Sequence, residues 1–292
     1  MSPSPISVRL FAYAVALLLL SACGSTYPPR KFSLPQRLRE ASGLVIDQGR
    51  MLWHNDSGDG PYLYSTDMAG SLLKVDTLRA AAIDYEDICQ DEAGRLYLGD
   101  FGNNRGLRQQ QVIYRYDTVS ERTDSIVFTY PGQDGRGIQY PGNYNCEAMV
   151  FLDGQLHLFT KDVLSGDRPF YIKHFRLPAT PGNHEAKLVD SLYLPRRVIT
   201  GATLDREKKE LYLVAYNFRV LLGFIPSGAA SLITISGYPG DEFFKGNIER
   251  RNISWAVPTQ HEAVAIYDDR YLYIAAEATA IRRRAIARRI RR

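Results

Sequence analysis

Three glutamates, Glu86, Glu147 and Glu262, open three stretches of this chain that read alike, and a polar or ring residue recurs 14 to 16 residues after each opening. Two further stretches of the same form open on Ser42 and Thr200. Carboxylates at a fixed offset in a repeat meet at one place if the repeats are arranged about an axis. Converging carboxylates repel, and a hard cation with oxygen ligands, such as Ca²⁺, relieves the repulsion. Without a cation, some of them must hold their protons above the ordinary range. The chemistry expected is therefore Ca²⁺ binding by Glu86, Glu147 and Glu262, or proton transfer in which Glu262 and its neighbour His261 are the catalytic candidates.

The elements that would position these residues are strands. Each copy is an apolar run ending near an Asp, a short turn, and a second run opening on Leu and a ring residue. The first runs from Ser42 to Asp56 and the second from Glu86 to Asp100. The third runs from Glu147 to Asp162, the fourth from Thr200 to Asn217 and the fifth from Glu262 to Glu277. Two more strand-like runs separate successive copies, and no long helix-period segment lies between the leader and the tail. Four strands per unit of about 40–60 residues describes a propeller blade. The fold expected is an all-β propeller of four-stranded blades over residues 32–280. Five repeats are visible, and residues 243–257 leave room for a sixth blade. Residues 30–35 are expected to add an outer strand to the last blade and close the ring.

In such a ring the openings and the ends of the second strands share one rim. The ends supply Asp56, Asp100, Lys161, Asp162, Asn217 and Glu277. The loop Gly99 to Arg105 adds Asn104 and Arg105, the latter as an anion contact. The loop from Asn55 is spaced like the start of an EF-hand, but Thr66 stands at the twelfth position, so it reads as a turn. His261 to Ala265 lacks the second His of a zincin, and no P-loop, nucleophile elbow or dinucleotide fingerprint is present.

The charge excludes one class of partner. The whole chain is +4, but without Arg9 and the seven arginines of residues 281–292 it has 28 basic against 32 acidic residues, net −4. An acidic body repels phosphates, which speaks against nucleic acid. Residues 281–292 (IRRRAIARRIRR) read as a basic tail: an amphipathic membrane-surface helix, an altered or truncated final blade, or a disordered end. Cys89 and Cys146 sit at different offsets in the repeat, which favours two buried thiols over a disulfide.

Residues 1–22 read as a signal peptide: Arg9 is the positive flank, Leu10 to Leu20 the apolar run. The end Leu20-Ser-Ala-Cys23 resembles the lipobox of bacterial lipoproteins. That resemblance implies lipidation of Cys23, a tether over 23–31 and, with Gly24 following, the outer membrane. The openings Asp84 to Ile88 (DYEDI), Asn145 to Met149 (NCEAM) and His261 to Val264 (HEAV) resemble the inner-strand starts of the SdiA-regulated and esterase-like phytase families of envelope propellers. The resemblance implies a propeller able to bind Ca²⁺. Ser42 and Thr200 depart from the acidic pattern. The expected function is a lipid-anchored envelope propeller binding a small-molecule or protein ligand at an acidic rim. The alternative is a metal-dependent hydrolase of phosphate or carboxylic esters.

Overall fold

Each opening run pairs with the run that follows it, because β-branched, Leu and ring residues alternate with a period of two and short turns join them. In the computed structural model, described here for residues 27–161, 170–217, 229–254, 260–279 and 282–292 and for the strand backbone at 220–221 and 225–226, the strands assemble into five four-stranded antiparallel blades. Blade I comprises Ala41–Asp47, Arg50–Asn55, Tyr62–Thr66 and Leu72–Thr77, from the axis outward. Blade II comprises Tyr85–Gln90, Leu96–Asp100, Gln111–Asp117 and Arg122–Thr129, and a fifth strand, Gly182–Glu185, adds in parallel to its edge. Blade III comprises Cys146–Leu152, Gln155–Thr160, Tyr171–Pro178 and Lys187–Tyr193. Blade IV comprises Arg197–Asp205, Glu210–Asn217, Ala230–Ser236 and Asn247–Ser254. Blade V comprises His261–Ile266, Tyr271–Ala276, Ile286–Arg291 and Lys31–Ser33. The five innermost strands contact one another in a closed circle, I to II to III to IV to V and back to I. The protein is a five-bladed β-propeller.

Five apolar clusters hold the blades face to face, one at each interface. Trp53 and Tyr273 fill the I–V interface, Tyr85 and Leu98 the I–II, Phe128 and Phe151 the II–III, Phe159 and Ile233 the III–IV, and Leu232 and Ile274 the IV–V. Hairpin turns match the strand twist: Gln48–Gly49 and Asp153–Gly154 have positive φ at both central residues. Cys89 and Cys146 are buried free thiols.

The segment around 243–257 is not a sixth blade; its described part is a short 3-10 turn followed by the outer strand of blade IV. Nor are residues 282–292, the described part of the basic segment, a separate tail. Ile286–Arg291 is the third strand of blade V, between Tyr271–Ala276 and the amino-terminal strand Lys31–Ser33. Arginine stems make this strand possible: the Arg289 guanidinium lies 4.5 Å over the Tyr27 ring and 4.8 Å over Tyr271, while Ala287 is buried between blades. Closure of the ring by residues 31–33 agrees with expectation. The leader, Cys23 and Asp162 lie outside the described residues. Among the described residues no helix is long and apolar enough to cross a membrane.

Candidate functional site

The opening residues share one structural feature. In every innermost strand the pairing register slips at the opening residue: between Ala41 and Gly43, Tyr85 and Asp87, Cys146 and Ala148, Ile199 and Gly201, and His261 and Ala263. Ser42, Glu86, Glu147, Thr200 and Glu262 are thus five equivalent β-bulges. A bulge leaves one residue unpaired and re-aims its side chain. Ser42 donates its hydroxyl to the Glu86 carbonyl at 2.6 Å, and Thr200 donates to the His261 carbonyl at 2.6 Å. Those two positions stitch neighbouring blades together. The three glutamates instead line one cavity of about 320 Å³ at the channel mouth, with Asp56, Asn104, Ile138, Asn145, Lys161, Tyr216 and Gln260.

The facing positions on the second strands are set by the ladder. In blades I, III and V the N–H of Asp56, Lys161 or Glu277 bonds the carbonyl two residues before the opening, on Glu40, Asn145 or Gln260. In blade IV Tyr216 pairs with Val198, which occupies the same place. In blade II the corresponding bond, to Asp84, comes from Gly102. Asp100 therefore falls two residues short of the mouth position. Its carboxylate accepts from the N–H groups of Ile83 and Asp84 at 3.0 Å each and pairs with Arg108 at 2.9 Å. Asn217 falls one residue beyond Tyr216, and a one-residue offset in a strand points the side chain to the opposite face. Arg105 is exposed and His261 is buried, and neither lines the mouth cavity. Asn104 does line it. The loop after Asn55 is a turn, as expected: Asp59 accepts from Asn55 at 2.9 Å and from the Tyr64 hydroxyl at 2.7 Å.

Gly102 matters because it has no side chain. A Cβ there would lie 2.2 Å from Glu86 Oε1 and 2.3 Å from Asp84 Oδ2. The Asp84 and Glu86 carboxylates use that space.

The acids of the mouth differ in how they are satisfied. Glu147 accepts from Lys161 Nζ at 2.8 Å and from Asn145 Nδ2 at 2.7 Å. Glu262 accepts from Gln260 at 3.0 Å and from the Glu277 carboxyl, which keeps its proton. Burial first, then the charge of Glu262, pushes Glu277 up to about 10. Burial raises Asp56 to about 6, against the Ser57 N–H and with help from the charges of Glu147 and Asp84. Burial also holds Glu86 well above the usual carboxylate range, and the charges of Glu147 and Asp56 add to it. Burial alone would lower the Lys161 ammonium; Glu147 and other acidic neighbours outweigh it and hold it far above its ordinary value.

Carboxylate oxygens of Asp56, Asp84 and Glu86 lie within 4.8 Å of one another, as do those of Asp56, Glu262 and Glu277. A Ca²⁺ ion with oxygens at about 2.4 Å spans separations up to about 4.8 Å, so either group fits it. The three bulged glutamates were the expected ligand set. Of these, Glu86 falls in one group and Glu262 in the other, both of which contain Asp56, and Glu147 is in neither.

One acid read from the sequence as a neighbour of the rim lies instead on the axis beneath it. Asp87 is buried and accepts from the N–H groups of Ile88 at 2.8 Å, Met149 at 2.8 Å and Ala202 at 3.3 Å, thereby joining blades II, III and IV beneath the mouth. The signal was present: the residue after the opening is Gly43, Ala148, Gly201 or Ala263 in the other four blades. Four small residues leave room for one side chain on the axis.

No family model matches the chain, and no curated protein matches it. Among solved structures it resembles a glucose dehydrogenase at 12% identity with a TM-score of 0.51, over 90% of this chain and 99% of that one. It also matches virginiamycin B lyase from Staphylococcus aureus at 11% identity with a TM-score of 0.42, over 88% of this chain and 68% of that one. At such identities the likeness concerns architecture. The class defined by fold and site is a five-bladed propeller with an acidic channel mouth.

Proposed function

We propose that this protein is a lipid-anchored binding protein of the bacterial cell envelope whose channel mouth takes a positively charged ligand, Ca²⁺ being the simplest. The observation that carries the reading is the convergence of three bulged glutamates and Asp56 on one cavity, where Lys161 is the sole basic side chain among the described residues that line it. A buried excess of carboxylates attracts cations and repels anions. The envelope location rests on Arg9, the apolar run to Leu20 and the lipobox-like end at Cys23. Ca²⁺ would be held by Asp56, Asp84 and Glu86, and it would neutralise and order the mouth.

The test is thermal unfolding with Ca²⁺ or with EGTA. A rise of several degrees that Asp56→Asn abolishes is expected, since Asp56 belongs to both carboxylate groups. No response at millimolar Ca²⁺ removes the metal, and no response to any cation removes the reading. Lipid attachment is tested by the mass of the mature amino terminus and by release of Cys23→Ser from membranes.

A second reading, hydrolysis of an ester, draws on the protonated Glu277 carboxyl beside Glu262, which can donate to a leaving oxygen. The acidic mouth favours a neutral carboxylic ester over a phosphate. Turnover of a generic ester that Glu277→Gln eliminates would establish it.

A further inference from the structure

The cation reading can be carried to a ligand class, and the inference below rests on that reading. Of the glutamates in the mouth, Glu86 stands apart. It is 4% exposed, it lines the cavity, and among the described residues its carboxylate accepts no hydrogen bond. Asp84 beside it likewise receives no side-chain or backbone donor on its carboxylate. Buried polar groups are almost always paired in native proteins, and an unpaired carboxylate is costly. Gly102, which has no Cβ, leaves the two carboxylates the space they occupy side by side.

Three features choose among cations. The first is number and spacing. A primary ammonium offers three donors, and acceptors at about 2.8 Å from its nitrogen in tetrahedral directions lie about 4.6 Å apart. Asp56, Asp84 and Glu86 supply three acceptors within 4.8 Å of one another. The second is size. The cavity of about 320 Å³ is far larger than one ion requires, and Tyr216 and Ile138 contribute apolar wall. The third is an internal precedent. Lys161 already places a primary ammonium in this mouth, bonded to Glu147 at 2.8 Å and 5.5 Å from the Tyr216 ring centre.

We propose that Asp56, Asp84 and Glu86 bind the primary ammonium of a small organic amine, whose carbon chain lies against Tyr216 and Ile138. A quaternary ammonium lacks N–H donors and needs a cage of rings, so it fits poorly.

The experiment is titration calorimetry of the full propeller at low salt with 1,4-diaminobutane, 1,4-butanediol, tetramethylammonium and CaCl₂. The diamine is expected to bind at least tenfold more tightly than the diol and than tetramethylammonium. Glu86→Gln is expected to weaken the diamine at least tenfold. Gly102→Ala is expected to fold, because the three atoms nearest the new methyl are all carboxylate ends of two flexible side chains. It is expected to weaken the diamine similarly while leaving the melting temperature nearly unchanged. Equal affinity for diol and diamine, or diamine binding indifferent to both substitutions, would overturn the ammonium assignment. Binding of Ca²⁺ without the amine would overturn it too, yet leave the cation reading in place. Silence from every cation would end both.

Discussion

Lys161→Met tests the electrostatics of the mouth, because it keeps an unbranched side chain one atom shorter and removes the ammonium with its charge and its hydrogen bond to Glu147. In the native mouth Lys161 lies 2.8 Å from Glu147, and their side chains are 14% and 4% exposed. Removing one partner of a buried pair typically costs about 3–5 kcal/mol. Glu147 has an escape, which is to take up a proton. Moving a carboxyl from an ordinary value near 4.5 to neutrality at pH 7 costs about 3 kcal/mol, at 1.36 kcal/mol per pH unit. The cheaper route sets the loss, so Lys161→Met should lose about 3 kcal/mol at pH 7, or about 10 °C in melting temperature. The sign with pH follows. Burial already holds Glu147 above its unfolded value in the parent, with Lys161 opposing it; the variant raises it further, so the added penalty grows as pH rises and vanishes below the unfolded value. At pH 5 the loss should shrink to under about 1 kcal/mol. Adding Glu147→Gln should restore most of the stability at pH 7, and calorimetric melts of the four members of this cycle at pH 5 and 7 measure it. A single variant as stable as the parent at pH 7, or a loss that does not change with pH, would refute the reasoning.

Other expectations follow from the same geometry. Asp56 at about 6 and Glu277 at about 10 both lie above their unfolded values, so the folded state binds more protons across roughly pH 4 to 10. Without added cations, melting temperature should therefore be higher at pH 5 than at pH 8, and a flat or inverted profile counts against the raised carboxyls. Asp87→Ala strands the N–H groups of Ile88, Met149 and Ala202 at the axis; a loss of about 4 kcal/mol by denaturant unfolding is expected, and a loss below about 1 kcal/mol would show that the axial carboxylate joins nothing. Deleting residues 286–292 removes a strand paired on both sides, so blade V should lose its amino-terminal strand too, seen as rapid amide exchange at residues 31–33 and 271–276.

The repeat was legible because its openings carry geometry as well as composition. Ser42, Glu86, Glu147, Thr200 and Glu262 each occupy a bulge, and the bulge fixes which side chains reach the axis. The facing positions were legible where the second strand reaches the mouth 14 or 15 residues after the opening. Asp56, Lys161 and Glu277 lie where counting places them. The blade II hairpin is one residue longer than that of blade I, and Phe101 intervenes before Gly102 bonds the Asp84 carbonyl, so Gly102 takes the place that counting gives to Asp100. The arginines of 282–292 disguised a strand, because charge on long stems says little about where those stems lie; Arg288 reaches the Ile253 carbonyl at 2.7 Å. Glu86 and Asp84 lacking donors belongs to three dimensions alone: Asn145 lies two residues before Glu147 and donates to it, whereas Asp84, two residues before Glu86, carries charge of its own sign.

The most direct test of a cation-seeking mouth is calorimetry at pH 8 in two buffers of different ionisation enthalpy, with CaCl₂ and with 1,4-diaminobutane. Burial holds Glu86 well above the usual carboxylate range, and a bound cation lowers its proton affinity, so at least one of the two should bind and release protons to the buffer, and Glu86→Gln should reduce both the heat and the release. If neither ligand produces heat at millimolar concentration, or one binds with no proton released and no dependence on Glu86, the acidic mouth is not a cation site.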